Sequence, residues 1–281
     1  MNIYDYATPF IKTYEPTELY YELCFQEHKE VYDYYFVDHC RDKETKMKKA
    51  LIEHPNKLQQ MQWVATNIPP FVKDITDKYE QLFPVKFKQD VYIFVGLGGT
   101  NAYTYRSMDP KIGFCVEKLE AEEGALQTII AHEFGHSLHH QYTTYCGIEA
   151  GAISWNDPYT WLLQEGIATY LSMQVVDVPH DVYFAYTRDV EWLTFCEESK
   201  AQFIAAFKQD LAEKSTAEIF KEWFSINGGT TFGYTRLAYY IGTALVESFV
   251  NEFGVEQTMT LWGRPDFKEL MEQRIESLYK L

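Results

Sequence analysis

Cysteine is scarce in this chain of 281 residues: five in all, Cys24, Cys40, Cys115, Cys146 and Cys196. The number is odd, the positions are scattered and no two are spaced C-x-x-C. A disulfide framework is therefore not expected, and reduced thiols in a cytoplasmic protein are. Basic residues are also few, 25 Lys and Arg against 41 Asp and Glu, for a formal net charge of -16. So acidic a surface repels phosphate backbones and anionic lipid, so neither a nucleic-acid nor a membrane partner is expected. The one compact basic run, Lys46-Met47-Lys48-Lys49, has Asp42, Glu44 and Glu53 around it and reads as a solvated helix face. No stretch approaches the ~18 consecutive apolar residues of a membrane-spanning helix. Met1-Asn2-Ile3-Tyr4-Asp5-Tyr6 has neither a basic start nor an apolar core, so no export signal is expected. Internal repeats, low-complexity tracts and Gly/Ser linkers are missing as well.

What is present is core-forming. Hydrophobic residues make up 46% and aromatic residues 17%, among them 22 Tyr, 19 Phe and 6 Trp. That composition excludes a disordered or collagen-like chain and supports one large domain or two modest ones. Apolar residues recur at helical spacing from Leu19 through Tyr35 and from Leu51 to Val64, with Pro55, Pro69-Pro70 and Pro84 as punctuation. Val91 to Val95 and Ile112 to Val116 read as strands, giving a small sheet over about 86–118. Between them Gly96-Leu97-Gly98-Gly99 lacks the G-x-G-x-x-G order and a phosphate-loop lysine, and reads as a turn. A helix is predicted from Glu122 to about Tyr145, and another from the start signal Asp157-Pro158 to about Val175. Further helices are expected near 188–212, 216–224, 234–252 and 266–279, with Asp266 and Glu269 as a capping pattern.

The first of the two named helices carries His132-Glu133-Phe134-Gly135-His136, an H-E-x-x-H motif. Residues four apart lie on one helix face, where two imidazoles can bind one zinc ion at about 2.0–2.1 Å. Glu133, turned about 100° around the helix, cannot easily share the metal but can reach a water beside it. Chance would produce the motif in a chain of this composition on the order of a few times in a hundred. A catalytic zinc expects three protein ligands. A third histidine six residues on would need glycine at position 139 and histidine at position 142, where the sequence has His139 and Tyr142. A carboxylate from a second helix is the next choice. Glu165, 29 residues after His136, is a charge within the otherwise apolar run Trp161 to Tyr170, and a metal would relieve the cost of burying it. Glu149 and Asp157 compete, but both fall in the loop between the helices.

H-E-x-x-H followed by Glu165-Gly166-x-Ala168-x-Tyr170 resembles the gluzincin metallopeptidases. Trp161-Leu162-x-x-Glu165-Gly166-x-Ala168 is similar to the third-ligand helix of aminopeptidase-N-like enzymes. Tyr239-Tyr240-Ile241-Gly242, then Val246 and Phe253-Gly254, resembles the Y-x-x-G helix of zinc-dependent peptidases of the peptidase-MA-like kind. The motifs span about 122–254. The resemblance implies His132, His136 and Glu165 as ligands of one zinc ion per chain, Glu133 as general base, and a tyrosine that stabilises the oxyanion. Tyr239 is the first choice for that tyrosine, with Tyr240 and Tyr234 as rivals. Thr169 stands where thermolysin-like enzymes carry an Asp that orients a ligand histidine. The resemblance also implies an edge strand that pairs with extended substrate, and Ile112 to Val116 is the candidate. His139 and His140, one turn beyond the motif, read more plainly as packing or surface histidines.

The expected fold is α+β, mainly helical: a zincin-like core over 86–281 with a small sheet before the metal-binding helix, and an N-terminal helical region over 1–85 packed on that core or continuous with it. The expected function is zinc-dependent hydrolysis of peptide bonds in a peptide or protein substrate. Alternatives are a zinc-stabilised binding protein without catalysis, a zinc hydrolase of a non-peptide amide or ester, and a helical scaffold in which the motif is coincidence.

Overall fold

The computed structural model describes residues 1–105 and 110–279. Helices dominate and one small mixed sheet accompanies them. The chain divides into two compact units, Met1–Ser137 and Leu138–Leu281.

The first unit contains β1 (Ile3–Asp5), α1 (Ala7–Lys12), α2 (Glu18–Glu27), α3 (Lys29–Tyr34), α4 (Lys43–Glu53), α5 (Leu58–Leu82), β2 (Val91–Phe94), β3 (Ala102–Thr104) and β4 (Ile112–Cys115). Strand order is β1-β2-β4-β3. β1 runs parallel to β2, β2 parallel to β4, and β3 antiparallel to β4. β2 and β4 are buried along their whole length, as parallel strands covered on both faces must be. Ile112 to Val116, expected at the sheet edge, is therefore central: β4 is paired on both sides, and the outer strands are β1 and β3. Each outer strand is three residues long, too short to leave a period-two signature.

Pro69-Pro70 does not end a helix as expected. α5 runs 25 residues straight through both prolines. Each proline forfeits one backbone bond to the preceding turn. A stripe of Met61, Val64, Ala65, Ile68, Val72, Ile75 and Tyr79, all buried, outweighs that loss.

The glycine turn after β2 is filled from within. Glu117 accepts from Gly96 N–H at 2.8 Å and Gly98 N–H at 2.9 Å, and the Tyr35 hydroxyl accepts from Leu97 N–H and Gly99 N–H at 2.9 Å each. Burial pushes the Glu117 carboxyl upward, opposed by those same amides. The turn's donors are thus spent on the protein's own side chains.

The boundary between the units falls inside α6 (Glu123–Tyr145), which is continuous across it. α6 starts as predicted: the Glu122 side chain accepts from Gly124 N–H at 3.1 Å and Ala125 N–H at 2.6 Å. The second unit adds α7 (Pro158–Val175), α8 (Val182–Ala185), α9 (Val190–Glu198), α10 (Lys200–Glu213), α11 (Thr216–Ile219), α12 (Leu237–Phe253), α13 (Val255–Met259) and α14 (Phe267–Tyr279). α7 has the expected start and end, with the Asp157 carboxylate accepting from Tyr159 N–H at 2.8 Å and Pro158 at the first helical position. The helix expected over 188–212 is interrupted at Ser199. The Asp266 carboxylate pairs with Arg264. No helix among the described residues is long and apolar enough to cross a membrane.

α7 is buried on nearly every side and packs chiefly on α12. The contact is backbone on backbone. A Cβ on Gly166 would lie 2.2 Å from the Gly242 carbonyl oxygen, and one on Gly242 would lie 2.4 Å from that of Leu162. Only glycine permits this approach at either position.

Candidate metal centre

His132 and His136 lie four residues apart on α6, with ring centroids 4.7 Å apart and planes nearly perpendicular. One ligand atom each from His132, His136 and Glu165 falls within a common 4.8 Å. His132 is buried, and His136 and Glu165 are half-buried. These three side chains can hold a metal ion. They are the three named from the sequence. Of the competing carboxylates, Asp157 caps α7 and Glu149 is exposed, and neither joins the cluster.

The rotation of α6 that presents these histidines is set on its other faces. The Tyr79 hydroxyl donates to the Ala131 carbonyl at 2.9 Å, Phe87 meets Phe134 edge-on at 5.2 Å, and the Gln89 amide donates to the Ser137 hydroxyl at 2.8 Å. One turn on, the His139 ring stacks on Trp262 at 3.7 Å, and its Nε2 donates to the Met259 carbonyl at 2.9 Å. Thr143 accepts from the Trp262 indole at 2.9 Å. His139 is thus a packing histidine, in keeping with the plainer reading. His140 has a connection the sequence did not suggest: its Nε2 accepts from the Gln164 amide at 3.2 Å, and Gln164 directly precedes Glu165.

Glu133 is 7% exposed. Its carboxylate Oε2 accepts from the Thr104 hydroxyl at 2.8 Å, and the same hydroxyl lies 3.0 Å from the Glu133 carbonyl oxygen. Thr104 escaped the sequence reading because nothing in a three-residue strand marks a partner 29 positions away.

Tyr239 and Tyr240 occupy the first turn of α12, both half-buried. The Tyr239 carbonyl accepts from the Thr243 hydroxyl at 2.8 Å. The Tyr240 ring meets Phe184, Trp192 and Phe203 with centroids 5.7, 6.4 and 5.9 Å away, and burial pushes its phenol up to about 12. Tyr234 donates its hydroxyl to Glu191 at 3.0 Å and stacks on Phe195. Thr169 is fully buried, and its hydroxyl has no hydrogen-bond partner among the described residues.

Compared with protein-family models, with curated proteins and with solved structures, the chain matches none.

Proposed function

We propose that this protein is a zinc-dependent peptidase of gluzincin type, with a zincin-like core. His132, His136 and Glu165 hold one zinc ion, and Glu133 serves as general base. The observation that carries the reading is the gathering of two imidazoles and one carboxylate within 4.8 Å, with a buried, hydrogen-bonded glutamate next in sequence to the first of them. The donor set suits zinc. Two imidazoles and one carboxylate are a ligand set that zinc takes, and His132, His136 and Glu165 would hold it. Three protein donors also leave a coordination position open, which marks a catalytic rather than a structural site.

When bound, zinc supplies Lewis acidity, making water acidic near neutral pH and polarising a carbonyl oxygen. Glu133 takes a proton from the attacking water and delivers it to the leaving amine. Tyr239, or Tyr240 beside it, donates a hydrogen bond to the developing oxyanion. The raised Tyr240 phenol stays protonated, and so remains a donor, throughout the physiological range. An extended peptide pairs along β3, an outermost strand of the sheet that bonds directly to Glu133. A surface of net charge -16 disfavours nucleic acid as substrate, and five unpaired thiols suit a reducing compartment such as the cytoplasm.

Glu133→Gln tests the reading. The variant is expected to keep its zinc and to lose turnover of a fluorogenic peptide library by about 10²-fold or more. Zinc-bound Glu133→Gln with wild-type turnover would overturn the assignment. Zinc-bound wild type that cleaves no peptide would favour the binding-protein alternative.

A further inference from the structure

We infer that Thr104 is the positioning residue of the Glu133 carboxylate. Its hydroxyl, carried on β3, selects the side-chain conformation from which Glu133 acts. The catalytic consequence rests on the peptidase reading, whereas the contact itself does not.

Glutamate has three side-chain torsions and no intrinsic reason to hold one setting. At 2.8 Å from the Thr104 hydroxyl, Oε2 accepts a charge-assisted hydrogen bond, stronger than one between neutral groups. Threonine is well suited to supply it, because branching at Cβ makes its first torsion stiff. The strand beneath is stiff as well. Thr104 pairs with Ile112 on β4, and backbone bonds of 2.8 Å flank it, Cys115 N–H to the Asn101 carbonyl and Tyr105 N–H to the Lys111 carbonyl. The pleat sends neighbouring Tyr103 to the opposite face, where its ring stacks on His39 at 4.0 Å. The register of β3 is thereby anchored on the face away from Glu133.

The hydroxyl has one proton and two acceptors within reach. Besides Oε2 it faces the Glu133 carbonyl oxygen at 3.0 Å. When the carboxylate swings away, the proton turns to that carbonyl and no polar group is stranded. The contact therefore holds Glu133 without locking it, as a base that must move during a reaction requires. It also couples β3 to Glu133, so a shift of the strand is passed to the base through the Thr104 hydroxyl.

Two measurements test this. In the first, thermal unfolding of the metal-free protein is followed for Thr104→Val, Glu133→Ala and the double variant. Valine keeps the shape of threonine and suits a strand, so folding is preserved. The losses in Tm are expected not to add, with the double variant melting close to the worse single one. Additive losses would show that the two side chains do not interact and would overturn the inference. In the second, the zinc-loaded protein is assayed on a peptide library. Thr104→Val is expected to lose about tenfold or more in kcat with KM and zinc content unchanged, and Thr104→Ser to recover most of the loss. Unchanged kcat, or a change confined to KM, would overturn the positioning role. A wild type without turnover would overturn the peptidase reading and the catalytic role together, while the unfolding cycle would still decide the contact.

Discussion

At the scale of single residues, burial decides which titratable groups matter for stability. His54 follows α4 and is 3% exposed, with its Nδ1 hydrogen-bonded to the Tyr21 hydroxyl at 2.7 Å. Burial, reinforced by nearby Lys57, lowers its pKa to about 4. The folded state therefore favours the neutral ring. That contribution is complete above the unfolded value of about 6.5 and is lost as pH falls from there through 4, amounting to about 3 kcal/mol. His54→Gln is expected to be less stable than wild type at pH 8 and to fall less steeply between pH 6.5 and 4. Parallel losses of Tm in the two proteins over that range would contradict the account. This histidine could not have been singled out from sequence, because its burial is a product of the fold, and its ring's hydrogen-bond partner Tyr21 lies 33 residues away. His132 and His136 were legible because four-residue spacing on a helix is itself a geometric statement. Glu165 was legible as a charge in an apolar run.

At the scale of elements, the helix-start signals held, and signals that long-range packing overrides did not. Asp157-Pro158 started α7 and Glu122 capped α6, because a cap is completed within one turn. Pro69-Pro70 failed as a stop because the burial of α5, a long-range effect, outweighed two lost backbone bonds. β1 and β3 went unseen because pairing with other strands, rather than composition, makes three residues a strand. The contact between α7 and α12 was half legible: Gly166 and Gly242 stood out within their motifs, but their approach did not. That approach carries a prediction. A methyl at Gly242 would meet the Leu162 carbonyl at 2.4 Å, and a backbone cannot yield as a side-chain end can. Gly242→Ala is expected to cost about 1–3 kcal/mol by overpacking. Because Glu165 adjoins Gly166 on the displaced helix, zinc retention should fall as well. Melting and metal analysis of the purified variant check both effects, and a Gly242→Ala protein that melts like wild type would contradict the packing described.

At the scale of the whole molecule, a mainly helical chain of net charge -16 gathers two histidines and a glutamate at one point. An acid surplus of this size attracts cations generally, so metal in a preparation is not evidence of a site unless it depends on particular residues. The central claim is that dependence. The most direct test is zinc per chain in the purified, zinc-supplied and desalted protein, measured beside Glu165→Ala. The account predicts about one zinc per chain in the wild type and a sharp loss in the variant. No zinc in the wild type, or equal zinc in both proteins, would contradict it.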